Sequence, residues 1–265
     1  MTMEPKPRIT DAARSYRDRL YPAGSPTLER LEHTDPEFAE RFENFAFDQV
    51  VTEGSPDGDP LPDRARLLTN LAYLLGCQGL EAFRMLLPAA LEAGLEPAAV
   101  QETVYQASAY LGTGRMLPFI AAVNEALQAC GIEAPLPRRA STDTTYESRA
   151  VAGEAKQVAF FGEGMRGFAE AGNPEYPQIN RWLASHCFGD WYTRDGLSDH
   201  ERELITLCFL AAQGGCEPQL TSHARANMRI GNTKAFLLKV VSANVPWIGY
   251  PRTLNAIRCI EDASA

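Results

Sequence analysis

The sequence predicts an all-α fold built as two tandem helical-bundle modules. Three observations predict it: apolar residues recur at helical spacing along nearly the whole chain, no segment alternates as a half-buried strand would, and one long pattern occurs twice. The repeat falls in three blocks. Pro36-Glu37-Phe38 returns as Pro174-Glu175-Tyr176, at an offset of 138. Leu61, Asp63, Arg66, Leu68, Leu71, Leu74, Gly79 and Glu81 return as Leu197, Asp199, Arg202, Leu204, Leu207, Leu210, Gly215 and Glu217, at an offset of 136. Gly94, Ala98, Val104, Gly112, Arg115, Leu117 and Ile120 return as Gly231, Ala235, Val241, Gly249, Arg252, Leu254 and Ile257, at an offset of 137. So long a period marks duplicated domains, whereas solenoid repeats run about 20–50 residues.

The expected organisation is an N-terminal module over 1–130, a linker over 131–148 and a C-terminal module over 149–265. Pro135, Pro137 and the run Ser141-Thr142-Asp143-Thr144-Thr145 are poor helix formers and mark the linker. A loop, Gly54-Ser55-Pro56-Asp57-Gly58-Asp59-Pro60, interrupts the first copy. That copy should hold helices near 36–50, 63–75, 80–93, 97–110 and 115–129. In the second copy one helix is expected near 147–170 and a leading helix near 174–190. The next starts at Asp199, because Ser198 and Glu201 have capping-box spacing, and it stops at Gly214-Gly215. Within it Leu204, Leu207, Cys208 and Ala211 follow i, i+3, i+4, i+7. A helix over Glu217–Ile230 carries Pro218 in its first turn, where a missing N–H costs little. Two more follow, Thr233–Asn244, ended by Pro246, and Arg252–Asp262.

The chain has 265 residues, 45% of them apolar, so it can bury a sizeable core. Its formal net charge of −9 and the absence of a Lys/Arg-rich run exclude nucleic acid as the expected partner. No signal-type apolar segment occupies Met1–Leu20, and no uncharged apolar run reaches the ~20 residues that span a bilayer. A cytoplasmic protein without membrane association is expected. Cys77, Cys130, Cys187, Cys208, Cys216 and Cys259 are scattered with no C-x-x-C pair, which reads as free thiols.

Three residues of the second copy carry the chemistry. Glu203 shares the stripe of Leu207 and Leu210, so its carboxylate should point inward. Cys216 lies where a helix begins, and unpaired N–H groups there favour a thiolate. His223 shares a face with Cys216 and Gln219 and a stripe with Leu220, Asn227 and Ile230. A carboxylate and an imidazole on facing helices are the parts of a general acid–base pair. Each also has a plainer role, as a core histidine, a dipole-complementing glutamate or a packed thiol. One His, one Cys and one Glu fall short of a dedicated metal shell, so no metal is expected. Arg252 could clamp a carboxylate, although Arg115 holds the equivalent place in the first copy. Trp247, Tyr250 and Trp191 are candidate pocket linings. The first copy has Leu67, Leu80 and Leu86 or Leu87 in place of Glu203, Cys216 and His223, which makes its site degenerate.

The run Leu197-Ser198-Asp199-His200-Glu201-Arg202-Glu203-Leu204-Ile205-Thr206-Leu207, then His223, Gly231 and Gly249-Tyr250-Pro251-Arg252-Thr253-Leu254-Asn255-Ala256, resembles the carboxymuconolactone decarboxylase family. Phe188-Gly189-Asp190-Trp191 resembles the segment that precedes that run in the decarboxylase branch. The first copy resembles the family too, at Asp35-Pro36-Glu37-Phe38 and from Leu61 to Leu127. The resemblance implies an all-α fold, a homo-oligomer (for a tandem chain, a trimer mimicking a hexamer of single modules) and two chemistries. One is cofactor-free decarboxylation of a small carboxylated lactone, with His223 matching the branch's histidine. The other is the thiol peroxidase chemistry of the alkyl hydroperoxide reductase D branch, matched by Glu203, Cys216 and His223. The second cysteine of that branch is replaced by Gln219, so a sulfenic acid at Cys216 has no resolving partner beside it. The leading expectation is therefore a cofactor-free, decarboxylase-like enzyme that shuttles a proton on a small oxygenated acid, lactone or enone through His223 and Glu203. A one-cysteine peroxidase using Cys216 and a non-catalytic ligand-binding or scaffold protein are the alternatives.

Overall fold

A computed structural model describes residues 7–55, 57–143 and 145–265. Met1–Lys6, Pro56 of the expected loop and Thr144 of the expected linker lie outside the described residues. The fold is all-α, with no strand among the described residues. The first copy runs α1 (Asp11–Leu20), α2 (Pro26–Thr34), α3 (Pro36–Asn44), a π-helical stretch (Phe45–Gln49), α4 (Val50–Glu53), α5 (Asp63–Gly76), α6 (Leu80–Glu92), α7 (Pro97–Leu111) and α8 (Thr113–Ala129). The second runs α9 (Tyr146–Phe161), a 3-10 turn (Glu163–Met165), α10 (Gln178–Trp182), a second π-helical stretch (Leu183–Trp191), α11 (Asp199–Gln213), α12 (Glu217–Arg229), α13 (Lys234–Ala243) and α14 (Val245–Ser264). The two π stretches start at Phe45 and Leu183, the same 138-residue offset as the first repeat block. Among the described residues no helix is long and apolar enough to cross a membrane.

The repeat folds around the pair α5 and α11. Every residue from Arg66 to Gly76 and from Arg202 to Ala212 is buried. A helix buried on all sides belongs at the centre of a domain, and here each copy supplies one to a shared core. The two backbones meet at Gly76, where a Cβ would lie 2.5 Å from the Ala212 Cβ and 2.9 Å from the Phe209 carbonyl oxygen.

Local signals explain the ends. Ser198 and Glu201 close the capping box that starts α11: the Glu201 N–H donates to Ser198 Oγ (3.3 Å) and the Ser198 N–H donates to Glu201 Oε2 (2.9 Å). Gly214 stops α11 with φ +68°. Two boundaries differ from expectation. The helix expected to reach 170 ends at Phe161, because Gly162 turns the chain with φ +97°. Pro246 was expected only as a stop; it falls instead in the first turn of α14, where proline is tolerated, and the helical path then breaks at Gly249 (φ 73°).

Each copy reaches across to the other. The loop ahead of α11 places Arg194 on Glu102 of α7, with Nε and Nη2 both 2.9 Å from carboxylate oxygens. In the corresponding contact, the loop ahead of α5 meets Lys239 of α13, with Nζ 2.9 Å from Asp57 and 3.1 Å from Asp59. Glu102 and Lys239 are repeat equivalents at the offset of 137, so the crossing bridge is kept and its charges are exchanged.

In the second copy α9 packs closely on the π stretch. A Cβ on Gly153 would lie 1.9 Å from the Ala184 carbonyl oxygen, and one on Gly189 would lie 2.2 Å from the Arg149 carbonyl oxygen. Backbone fills both spaces, so an added methyl must push two helices apart. Gly153→Ala is expected to lower stability by about 3 kcal/mol in urea unfolding. Gly114→Ala, with nothing within 4 Å of the added carbon, is the control and should be neutral or stabilising by up to about 1 kcal/mol.

Candidate functional site

Glu203 lies on the buried stripe of α11, and its side chain is fully enclosed. His223 lies on α12, whose buried stripe is Leu220, His223, Ala224 and Asn227. The two meet with His223 Nδ1 2.8 Å from Glu203 Oε2. Asn227, one turn beyond His223, donates from Nδ2 to the main-chain oxygens of both Glu203 and His223, each at 2.9 Å. Asn232 donates in turn to Asn227 Oδ1 (2.8 Å), which fixes that amide's orientation. These bonds tie α11 to α12 at the level of the pair, so the imidazole and carboxylate are held by backbone. The second carboxylate oxygen, Glu203 Oε1, is buried without a hydrogen-bond partner among the described residues.

Two aromatic edges flank the imidazole. Tyr110 from α7 lies 5.5 Å away (ring centroids, interplanar 80°), and Phe161 from the end of α9 lies 5.2 Å away (85°). Tyr110 belongs to the first copy, so both copies build the site. Its hydroxyl is 2.6 Å from that of Tyr192, which is 2.8 Å from Thr206 Oγ1, and Cys187 Sγ lies 3.7 Å from Tyr110. Burial pushes the Tyr110 and Tyr192 hydroxyls well above the usual tyrosine range, and the nearby Glu203 charge adds to it. Burial likewise pushes the Cys187 thiol up to about 12. All three are neutral at physiological pH and can donate.

The other candidates are spread more widely. Cys216 precedes α12 with φ −140°, and its thiol is 3.4 Å from the Leu210 carbonyl oxygen. Burial pushes its pKa up, which corrects the expectation of a thiolate: the side chain turns back toward α11 rather than into the N–H groups of α12. No hydrogen bond links Cys216 to Glu203 or His223 among the described residues. Gln219 is exposed, just outside the buried stripe. Arg252 approaches Gly214 and makes no ion pair among the described residues. Trp247 packs edge-on to Phe42 (5.7 Å), and the exposed Tyr250 stands 6.5 Å from Phe45, so both meet the leading helix of the first copy. Trp191 packs on Tyr105 and His186 beside the Arg194 guanidinium. The pair Glu203–His223 is thus brought together, while Cys216, Gln219, Arg252, Trp247 and Tyr250 make no hydrogen bond or aromatic contact to it. Among the described residues no group of three His, Cys, Asp or Glu is placed to hold a metal ion.

Sequence reading missed Tyr110, Phe161, Tyr192, Cys187 and Thr206. One signal was available for Tyr110, which is the repeat equivalent of Trp247 at the offset of 137. Each packs against the leading helix of the opposite copy.

Residues 177–262 match the model of the carboxymuconolactone decarboxylase family, a segment that contains Glu203, Cys216, His223 and Arg252. The whole chain shares its fold with a solved structure from Burkholderia xenovorans LB400, provisionally described as a gamma-carboxymuconolactone decarboxylase subunit. The two are 19% identical with a TM-score of 0.54, over 98% of this chain and 100% of that one. No curated protein matches the chain.

The setting of Cys216 makes a checkable statement. With its pKa raised, the thiol is protonated at neutral pH and should react slowly with iodoacetamide, its rate climbing only at a pH above the ordinary thiol range. Mass spectrometry should find the exposed Cys130 alkylated first. Preferential labelling of Cys216 at neutral pH would restore it as a reactive nucleophile.

Proposed function

We propose that the chain is a cofactor-free, decarboxylase-like enzyme in which His223 moves a proton on a small carboxylated lactone or related unsaturated acid. The observation that carries this reading is the 2.8 Å contact between His223 Nδ1 and Glu203 Oε2, in a pair almost wholly buried. A carboxylate on Nδ1 accepts that nitrogen's hydrogen. It fixes the tautomer and ring orientation and leaves Nε2 as the working atom. The aromatic edges of Tyr110 and Phe161 keep water from the imidazole, so a proton on Nε2 is reserved for the reacting carbon. The match of residues 177–262 to the decarboxylase family supports the same reading.

In this scheme the carbon–carboxylate bond breaks heterolytically. Its electron pair passes into the conjugated lactone, carbon dioxide leaves, and the protonated imidazole gives its Nε2 proton to carbon. Once product has left, solvent reprotonates His223 through the 10% of its side chain that stays exposed. The same machinery could move a proton between two carbons of an enone without loss of carbon dioxide. The raised pKa of Cys216 and the glutamine at 219 support this scheme over peroxide reduction. A homo-oligomer belongs to the reading, supported by the exposed apolar residues Ile179, Trp182 and Leu183 around α10.

The test is a screen of carboxylated five-membered lactones and unsaturated keto acids, with turnover followed by proton NMR and carbon dioxide release. On the substrate so found, His223→Ala should lower kcat by roughly 100- to 10,000-fold. Glu203→Gln should lower kcat in the same direction and leave KM nearly unchanged, because it disturbs the imidazole rather than the bound acid. Full turnover in His223→Ala would sink the reading.

A further inference from the structure

A chain of hydrogen bonds with a fixed direction ends at Tyr110. It starts at Arg202, whose guanidinium can only donate. Arg202 Nη1 lies 2.9 Å from Gln106 Oε1, so that atom of Gln106 must be the oxygen. The amide nitrogen therefore faces the other way and donates to the Arg202 carbonyl and to Thr206 Oγ1, each at 2.9 Å. Thr206 makes no bond back to the Arg202 carbonyl, and its hydroxyl hydrogen has Tyr192, at 2.8 Å, as its acceptor among the described residues. Tyr192, having accepted, donates to Tyr110 at 2.6 Å. Tyr110 has then accepted from Tyr192 and, at 3.7 Å, from the Cys187 thiol, and its own hydrogen has no acceptor among the described residues.

That hydrogen belongs to a ring packed against His223, the imidazole paired with Glu203. Tyr110 and Phe161 both retain partial exposure, whereas Tyr192 is buried. A hydroxyl held neutral by burial, with its hydrogen aimed by four residues behind it, is a preorganised donor. The chemistry that fits it is an oxygen that carries or develops negative charge, such as a carbonyl becoming an enolate.

We infer that Tyr110, supplied by the first copy, is the hydrogen-bond donor to the substrate oxygen at the His223 site, and that Arg202, Gln106, Thr206 and Tyr192 set the direction of its hydrogen. The inference rests on the acid–base reading of His223 and Glu203 and adds the group that stabilises the oxyanion. It also gives the first copy a part in the chemistry, although its own site is lined by leucines. Tyr110 touches substrate, whereas Arg202, Gln106, Thr206 and Tyr192 are positioning residues.

The experiment titrates the full-length protein with 4-nitrophenol, whose ionised form has its own yellow absorbance band. The wild-type protein should bind the probe as phenolate at a pH where the free probe is mostly neutral. Tyr110→Phe, which removes only the hydroxyl, should weaken phenolate binding by roughly tenfold or more. Gln106→Glu replaces the donor to Thr206 with an acceptor. Thr206 then donates to residue 106, Tyr192 to Thr206 and Tyr110 to Tyr192, so Tyr110 offers a lone pair to the site. In that variant the bound probe should lose its phenolate band even though Tyr110 is intact, a change that loosened packing alone does not produce. Thermal melts confirm that each variant is folded; should Gln106→Glu fail to fold, Tyr110→Phe decides alone. No phenolate bound by wild type, unchanged affinity in Tyr110→Phe, or an unchanged band in folded Gln106→Glu each overturns the inference. None of these readouts needs turnover, so they stand apart from the His223→Ala assay.

Discussion

The buried guanidinium of Arg202 is the constraint on which the rest of the structure depends. It lies on the central helix α11 with no exposed surface, against Glu102 (3.2 Å), Gln106 and the carbonyl oxygens of Arg194 and Asp195. A charge so placed is tolerable only with several acceptors around it; Nη1 and Nη2 find them, Nε has none among the described residues, and the acceptors come from both copies and from the loop between the π stretch and α11. Loss of one partner from such a buried pair typically costs about 3–5 kcal/mol. The helices α7 and α11 are thereby locked in one register. That register brings Tyr110 to His223 and turns the Gln106 amide toward Thr206.

Duplication has left two halves with the same frame and different interiors. Where the second copy sets Glu203 and His223, the first sets leucines, and Trp247 stands at the place equivalent to Tyr110. Each of these two aromatic residues packs on the leading helix of the opposite copy, Trp247 on Phe42 and Tyr110 beside Cys187. The exchange makes one of two equivalent places ordinary core and leaves the other polar. Tyr110 of the first copy packs against His223 of the second, so the first copy is more than a passive support.

Most of the frame was legible in the sequence. Capping residues, glycine stops and a repeat read at three offsets located α5–α8, α11–α13 and the part of α14 beyond its break at Gly249 to within a few residues, because these signals act over one or two turns. Glu203 and His223 were legible for the same reason: each shares a helical stripe with buried neighbours. Cys216 was misread because the dipole argument assumes a side chain facing the N–H groups, and here it turns to Leu210. Gln219 falls one position outside the buried stripe, an offset that helical spacing alone does not resolve. Tyr110 and Phe161 were missed because they reach His223 from α7 and α9, and Tyr192 because it reaches Tyr110 from just beyond the π stretch. Those contacts depend on how elements cross, which no local pattern records.

The exchanged bridges between the copies act as a lock on ancestry. A dimer of two first copies would set Asp57 against Glu102, and a dimer of two second copies would set Arg194 against Lys239, like charge against like in each case. Only an unlike pair satisfies both crossings. With these charges, neither half can stand in for the other or pair with a copy of itself at the two crossings. The second half keeps the polar Glu203–His223 pair, and the first supplies Tyr110 to the wall beside it.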